Sequence, residues 1–406
     1  MTSSAMASGL AIVLGLVGYR VIGFADVTVA QNQSVSDRKA EEDKVLYQCR
    51  LDMKNNQNEA GIRSCNEASI IFRLVKNRGG ESKAFNNIGV AYGGLQKYDK
   101  AIEFYEQSLA IAREIKGRLG EGKTLGNLGL VYYTLGNYPK AIEFQEQSLA
   151  IAREIKDRLW EGKTLGDLGR AYLSLGNYPR AIEFQEQSLA IAREIKDRLW
   201  EGSILGDLGF MYYALGNYPK AVEFYKQSLA IAREIKDRLW EGNILGDLGL
   251  TYHSLGNYLK AIEFQEQHLA IAHEIKDRLG EASALGNLGR AYLSLGNYPK
   301  AIKFHEQILV IAREIKDRSG DWAALNNLGL AMTKQEPELA IEFYKQSVNV
   351  AESIRKNNRK LDKALQASYT ETVADSYRNL ANLLIQQGRT TEAKEVLELL
   401  KRTPNP

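Results

Sequence analysis

Apolar side chains recur at three- and four-residue spacing along most of this chain, in two stripes that alternate with a fixed period. In residues 121–160 the first stripe is Leu125, Leu128, Tyr132 and Leu135, and the second is Ala141, Phe144, Leu149, Ala152 and Ile155. This spacing places each set on one face of an α-helix. Each such stretch therefore predicts two amphipathic helices.

The residues between the two stripes predict a tight turn. Gly136 follows the first stripe, and glycine readily adopts the positive φ that commonly ends a helix. Pro139 comes next at the start of a helix, where its missing N–H costs nothing. Asp157 is the expected N-cap of the following helix. Each stretch is thus predicted to be an antiparallel helical hairpin, in which Gly129 and Ala141 allow close approach.

The pattern repeats six times between residues 81 and 320, and residues 121–160 differ from residues 161–200 at only six positions. A fixed period of this length is typical of a solenoid, in which each unit packs on its neighbours. Atypical end units are expected, because they stop further stacking. The predicted organisation is a degenerate capping repeat at 41–80, seven repeats at 81–360, a degenerate capping hairpin at 361–402 and a tail at 403–406.

The residues that carry a family resemblance are Leu128-Gly129, Tyr132, Gly136, Tyr138, Ala141 and Phe144. They resemble the tetratricopeptide repeat (TPR), and the 40-residue unit is similar to the subclass found in kinesin light chains and Leu-Gly-Asn repeat adaptors. The repeats also resemble those of cyanobacterial CHAT-domain proteins, in which a caspase-like domain follows. The printed sequence ends at Pro406 without that domain, so no protease activity is expected. The resemblance implies an all-α, right-handed superhelical solenoid.

Variation between the copies concentrates on the first helix. Five of the six differences noted above fall between residues 127 and 134, whereas residues 148–160 recur unchanged at 188–200 and 228–240. Drift on a solvated stripe is one explanation, although the second helix is also half exposed and varies less. First helices line the concave groove of tetratricopeptide arrays, so the resemblance favours a peptide-binding groove.

Two rows of residues follow this face along the array. The first row is Asn87, Asn127, Asp167, Asp207, Asp247, Asn287 and Asn327, and the second is Val90, Leu130, Arg170, Phe210, Leu250, Arg290 and Leu330. The resemblance implies that the asparagines hydrogen-bond the backbone of an extended peptide, for which an amide supplies a donor and an acceptor. The ionised aspartates only accept, which favours a ligand with Lys, Arg or a free amine. Arg170 is an alternative partner for Asp167.

Composition argues against several other functions. The chain has 53 Lys and Arg against 50 Asp and Glu, and a net charge of +3 gives no general attraction to nucleic acid. Its four histidines show no zinc spacing and are expected at the surface; they are His253, His268, His273 and His305. No local motif assembles catalytic residues. We therefore expect no enzyme activity, metal, cofactor or small-molecule substrate.

Residues 117–124 fit the phosphate-loop pattern GxxxxGK[ST]. That pattern binds phosphate when a strand precedes the loop and a helix N-terminus follows it. A predicted helix precedes the loop here, so nucleotide binding is not expected.

The tryptophans of the repeats allow two interpretations. Trp160, Trp200 and Trp240 stand at the same position of successive repeats, where other copies have glycine. They are predicted to pack over the start of the next helix, with a ladder that meets a partner as the alternative.

Cys49 and Cys65 are predicted to lie level on two antiparallel helices. They form a disulfide in an oxidising compartment and are two core thiols in a reducing one.

Residues 1–31 differ in composition from the rest of the chain. They predict an export signal with a cleavage site at 28–30, an uncleaved membrane anchor from Ala5 to Ala25, or a wrongly assigned start of the sequence. Residues 32–40 are predicted to be a linker. An exported or membrane-anchored location is expected, with a cytoplasmic one as the alternative.

These observations predict a non-enzymatic adaptor that binds a peptide or protein segment, basic in character, in the groove of the first helices. A regulatory subunit for a separately encoded CHAT protease is the alternative. End-to-end self-association is a third hypothesis.

Overall fold

The computed structural model describes residues 44, 47–49, 51–52, 57–358 and 363–401. Throughout these residues the regular secondary structure is helical, as the apolar period predicts. The chain divides into two compact units, one ending at Ile195 and the other beginning at Lys196. The expected signal or anchor at 1–31, the linker at 32–40 and the tail at 403–406 lie outside the described residues.

The first unit contains helical residues at 44, 47–49 and 51–52, followed by seven complete helices. These are α1 (Asn58–Leu74), α2 (Arg78–Gly94), α3 (Tyr98–Glu114), α4 (Arg118–Thr134), α5 (Tyr138–Glu154), α6 (Arg158–Ser174) and α7 (Tyr178–Glu194). Consecutive helices pack on one another as antiparallel hairpins.

The second unit continues the same alternation within itself. Its helices are α8 (Arg198–Ala214), α9 (Tyr218–Glu234), α10 (Arg238–Ser254), α11 (Tyr258–Ile275), α12 (Arg278–Ser294), α13 (Tyr298–Glu314), α14 (Arg318–Met332), α15 (Pro337–Asn357), α16 (Lys363–Gln386) and α17 (Thr390–Lys401). None of the helices in the described part of the chain is long and apolar enough to cross a membrane.

The turn of the hairpin formed by α4 and α5 has the conformation that the sequence predicts. Gly136 adopts a φ of 74°, and the Asn137 N–H donates to the Tyr132 carbonyl at 2.9 Å. The Asn137 side chain then accepts from the Lys140 N–H at 3.3 Å and caps α5. Asp157 caps α6 in the same way, by accepting from the Trp160 N–H at 3.0 Å.

Glycine sets the spacing between the two helices of a hairpin. A Cβ on Gly129 would lie 2.8 Å from the Gln145 side chain, so only glycine permits this approach without a shift. Tyr132 stacks on Phe144 beside this contact, with ring centroids 5.4 Å apart. The glycine contact recurs as far as Gly329, and the ring stack recurs as far as Tyr292 and Phe304, which accounts for the constancy of these positions.

A buried acidic residue joins each hairpin to the one before it. Glu121 is 9% exposed and accepts from Arg113 at 3.1 Å and from Arg118 at 2.6 Å. Arg118 also pairs with Glu154, on the next second helix. The same arrangement recurs around Glu81, Glu161, Glu241 and Asp321. The repeated REIKDR segment is therefore held constant as structure, a role that the sequence alone did not indicate.

Two histidines are not on the surface, contrary to expectation. His305 is fully buried and His268 is 6% exposed. Both occupy core positions, since His305 is in register with Gln145 and His268 with Ser148. Comparison of the copies at these two positions would have indicated their burial.

The two cysteines are joined. Cys49 and Cys65 form a disulfide with Cα atoms 4.8 Å apart, which ties the helical residues 47–49 to α1. Of the two alternatives that the sequence left open, the structure contains the bonded one.

Candidate functional site

Neighbouring first helices approach each other directly from α2 to α6 in the first unit and from α8 to α12 in the second, and second helices do so less. Tyr133 and Ser174 join α4 to α6 with hydroxyl oxygens 3.1 Å apart. The His253 Nε2 and the Ser294 hydroxyl are 3.0 Å apart and join α10 to α12. The two predicted rows therefore lie along closely spaced helices within each unit.

In the first unit, each member of the polar row already has a partner. The Asn87 side chain donates to the Cys49 sulfur at 3.3 Å, and Asn127 donates to the Asn86 carbonyl oxygen at 3.0 Å. Asp167 forms an ion pair with Arg170, the neutralising partner that the sequence left as an alternative. Burial raises the pKa of Asp167, and the charge of Arg170 opposes that rise.

In the second unit the polar row contains a carboxyl group whose ionised form is destabilised by burial. Asp247 is half-buried on α10, and burial raises its pKa to about 6. Asp207 is one hairpin earlier, and the Tyr225 hydroxyl lies near both carboxylates. The pKa of Tyr225 is raised first by burial and then by the charges of Asp247, Tyr213 and Asp207. Tyr225 was not predicted to lie at this site. It occupies the same position of its repeat as Gln145, and both side chains pack against a glycine of the first helix.

The remaining polar positions of the second unit, Asn287 and Asn327, are half-buried on α12 and α14. They are in register with Asp247 but are neutral. The second unit thus presents two acids followed by two amides on its inner face.

The second row is mostly apolar and open to solvent. Phe210 is 49% exposed, Leu330 is 47% exposed, and Leu250 between them is half-buried. Arg290 interrupts this surface and is exposed. In the first unit Val90 and Leu130 are exposed beside Arg170.

The phosphate-loop pattern does not form a phosphate site. Gly117 is the N-cap of α4, which begins at Arg118, and α3 precedes it. Thr124 is buried, and its hydroxyl is 3.1 Å from that of Ser108. Among the described residues, no three histidine, cysteine or acidic side chains are grouped to hold a metal ion.

The tryptophans pack between hairpins. The Trp160 ring lies against Gly122 of the preceding hairpin, and Trp240 lies against Gly202. The packing interpretation therefore agrees with these contacts better than a ladder exposed for a partner.

Models of the family described as "Tetratricopeptide repeat" match this chain over most of its described length. One matches residues 120–194, 200–274 and 280–353, which together exceed half of the sequence, and others match 82–114 and 373–400. The chain belongs to the tetratricopeptide repeat family. The predicted fold class, an all-α solenoid of antiparallel helical hairpins, is confirmed for this tetratricopeptide repeat protein.

Several solved structures share the fold. The apo form of RapI is 16% identical with a TM-score of 0.67, covering 89% of this chain and 97% of that chain. The apo form of the quorum sensor NprR from B. thuringiensis is 15% identical with a TM-score of 0.54, covering 90% and 98%. A putative kinesin light chain from Podosopora anserina is 24% identical with a TM-score of 0.43, covering 48% and 95%. At these identities the likeness concerns the fold alone. No curated protein matches this tetratricopeptide repeat chain.

Proposed function

We propose that the protein is a non-enzymatic scaffold that binds a peptide or protein segment along the first helices, with a basic side chain or free amine of the ligand at Asp207 and Asp247. The family fold is generally a non-catalytic protein-interaction scaffold, and this proposal adds the location and the charge of the contact. The contact residues are those of the two rows on the first helices. The preference for a basic group of the ligand rests on an acid of the second unit.

The observation that carries the proposal is the raised pKa of Asp247. A carboxyl with a pKa of about 6 is mostly ionised at neutral pH, and its burial costs stability there. Asn287 and Asn327 stand at the same position of later hairpins, so the fold does not require an acid. A residue that costs stability where a neutral one serves indicates a functional role. A cationic group of a ligand would remove that cost.

The apolar row provides the rest of the contact. Phe210 and Leu250 are one helical turn beyond Asp207 and Asp247 on the same helices. Exposed aromatic side chains contribute strongly to protein interfaces. We therefore propose a ligand with an apolar residue beside its basic group.

The first unit has a different part in this proposal. Asp167 is neutralised by Arg170, and Asn87 and Asn127 each donate one side-chain N–H within the protein. Asp167 would contact a ligand only after leaving Arg170, whereas each asparagine amide still has a second N–H and an accepting oxygen for a peptide. The preference for a basic ligand is therefore assigned to Asp247, whose counterparts in later hairpins, Asn287 and Asn327, are neutral.

A peptide array tests the proposal. The purified chain, labelled fluorescently, is applied to random peptides, and Lys or Arg next to an apolar residue should be enriched among those that bind. The combined Asp207→Asn and Asp247→Asn variant should bind the selected peptides at least about tenfold more weakly. Binding by the wild type should also fall as the pH drops below about 6, because Asp247 becomes protonated.

Asp167→Asn is the matched control, since that carboxylate is already paired with Arg170. It should bind close to wild type, whereas the triple variant with Asp207→Asn and Asp247→Asn should bind no more weakly than the double. Equal binding by the double variant and the wild type, with unchanged helical content, would refute the groove.

No structural observation favours the regulatory subunit of a CHAT protease or end-to-end self-association over this scaffold. An exported or membrane-anchored location remains a proposal that rests on residues 1–31.

A further inference from the structure

The second unit has a row of lysines at one edge, where each second helix ends and the next first helix begins. They stand immediately before the N-cap residues of α8, α10, α12 and α14, and they are Lys196, Lys236, Lys276 and Lys316. All four are exposed. Equivalent turns of stacked hairpins lie on the same side of an array, so these lysines share one edge of the unit.

The backbone at each of these lysines is left-handed. Their φ angles are 58–60°, a region that glycine adopts freely and that a residue with a Cβ adopts at a cost. The turns at the opposite edge of the unit use glycine there, at Gly216, Gly256 and Gly296. A basic residue suits the end of a helix, but Arg233 and Arg313 already lie in the last turns of α9 and α13. The fold itself therefore does not require lysine at these turns.

The other charged groups at this edge are engaged within the protein. Arg198, Arg238 and Arg278 pair with glutamates near the ends of the second helices. The aspartate after each lysine accepts from a backbone N–H at the start of the first helix, at 2.9–3.0 Å. None of the four lysines forms an ion pair within the part of the chain that the structure describes. Their ammonium groups therefore remain for an external anion.

Exposed leucines lie beside these lysines. Leu199 is 60% exposed, Leu239 is 53% exposed and Leu279 is 68% exposed. Each stands three residues after a lysine, in the first turn of a first helix. Ser319 occupies this position in the next repeat, so the hairpin forms without a leucine there. A row of apolar side chains held in water is typical of a contact surface. The four lysines and three leucines together are called the lysine edge.

A membrane with anionic headgroups matches both properties of this edge. Lipid phosphates pair with ammonium groups, and the acyl boundary beneath them accepts leucine side chains. The long methylene chain of lysine keeps its ammonium among the headgroups while a neighbouring leucine enters more deeply. A nucleic-acid backbone would pair with the lysines but offers no apolar surface to the leucines. The exposed leucines therefore favour a membrane as the partner.

We propose that the lysine edge docks on an anionic lipid surface, with its ammonium groups at the lipid phosphates and its leucines at the acyl boundary. The first unit has the same pairing of an exposed lysine and leucine, at Lys116 with Leu119 and at Lys156 with Leu159. The lysine edge contains none of the acids of the polar row. Membrane docking and peptide binding can therefore fail independently of each other.

A fluorescent label at a single position tests the location of the contact. Leu239→Cys in the full chain is labelled with an environment-sensitive dye, since Cys49 and Cys65 are bonded to each other. With vesicles of phosphatidylcholine containing about 30% phosphatidylglycerol, its emission should shift to the blue and saturate below about 1 mM lipid. The shift should be lost at about 0.5 M salt, which screens the lysines.

The matched control carries the same label at the other end of α10. Leu255→Cys lies at the opposite edge, and Leu255 is exposed like Leu239. Its emission should not change with the same vesicles. Because the label reports only its own surroundings, membrane binding by residues 1–31 does not produce the signal.

Glycine substitutions test the lysines without endangering the fold. Replacing all four lysines of the edge by glycine suits the left-handed turns, so the variant should unfold at the parent temperature or higher. The label at position 239 should then need at least about tenfold more lipid for the same shift. The control replaces by glutamine four lysines that lie over tyrosine rings, namely Lys220, Lys226, Lys260 and Lys300. It removes the same charge from the second unit and should bind vesicles like the parent.

Leucine substitutions distinguish a membrane from a soluble polyanion. The combined Leu199→Ser and Leu279→Ser variant copies Ser319 and should weaken vesicle binding, whereas Ser319→Leu should strengthen it. Unchanged vesicle binding by the serine variant would mean that the edge recognises charge alone, and a membrane would then not be its specific partner. The proposal is also overturned if the label at position 239 does not respond to anionic vesicles, if the label at position 255 responds equally, or if the glycine variant binds like the parent.

Discussion

His305 occupies a core position that glutamine holds in three other hairpins. Gln145, Gln185 and Gln265 each donate to a backbone carbonyl of the facing helix, at 3.1, 3.4 and 2.8 Å. Neither ring nitrogen of His305 has a partner among the described residues. Burial without such a partner lowers the pKa of His305 to about 4.

This histidine should make the fold sensitive to acid. The unfolded chain binds a proton near pH 6.5 and the folded chain only near pH 4, so stability is present above pH 6.5 and is lost as the pH falls toward 4. The full loss corresponds to roughly 3 kcal/mol. Urea unfolding of wild type and His305→Gln between pH 4 and 7.5 measures it.

The difference between the two proteins isolates His305 from Asp247. The raised pKa of Asp247 acts in the opposite direction, since its contribution to stability is lost as the pH rises through 6. That contribution is common to both proteins and cancels. A wild-type to His305→Gln difference that stays constant from pH 4 to 7.5 would refute the assignment.

The first and second helices of a hairpin meet through a glycine and a large side chain. In the pair of α8 and α9, a Cβ on Gly209 would lie 2.7 Å from the ring of Tyr225, which is buried and cannot rotate away. Gly206 is one turn earlier on the same helix, and a Cβ there would lie 3.5 Å from its nearest neighbours, an ordinary contact.

These two glycines should respond to alanine with opposite signs. Gly209→Ala overpacks the hairpin and should lower the free energy of unfolding by about 1–3 kcal/mol. Gly206→Ala removes backbone entropy from the unfolded chain and should raise it by roughly 0.5–1 kcal/mol. Urea unfolding followed by circular dichroism compares them. Equal effects of the two substitutions would show that close packing against Tyr225 does not account for the glycine at position 209.

The helices and turns could be predicted because they depend on local sequence signals. Contacts between residues that are distant in sequence could not be predicted. The turn at Gly136, the cap at Asp157 and the two apolar stripes each depend on residues within about four positions. The ion pair between Arg113 and Glu121 joins residues 8 apart, and the hydrogen bond between Ser82 and Ser108 joins residues 26 apart. Such contacts required the hairpin register, which the structure supplies. The prediction of surface histidines was wrong for His268 and His305. The spacing between histidines carries no information on burial, whereas their position within the repeat does.

For the candidate site, the positions of the two rows could be read from the sequence, and the state of their residues could not. The rows lie on first helices, and their role as a peptide-binding groove stays a prediction. That Asp167 is neutralised while burial raises the pKa of Asp247 depends on the depth of each carboxyl and on the charge beside it. Residues at the same position of different repeats therefore differ in their pKa and in the charge beside them.

Across each unit, stability is carried by contacts between neighbouring hairpins. In such an array a local loss affects the adjacent repeats and fades with distance along the chain. The Cys49–Cys65 disulfide closes a sequence separation of 16 residues at the N-terminal end of the first unit, and Asn87 on α2 donates to the Cys49 sulfur. A loop of this length contributes about 3 kcal/mol.

Removal of this disulfide should therefore destabilise one end of the chain. In the combined Cys49→Ala and Cys65→Ala variant, backbone amides of α1 should exchange with deuterium up to about a hundredfold faster, and those of α2 should accelerate less. Amides of α12, in the other unit, should exchange at the wild-type rate. Reduction of the wild type should reproduce this pattern, and reductant should not change the variant further. Uniform acceleration in every helix would instead mean that the array unfolds as a single cooperative body, because the loss at α1 would then be shared by helices that make no contact with it.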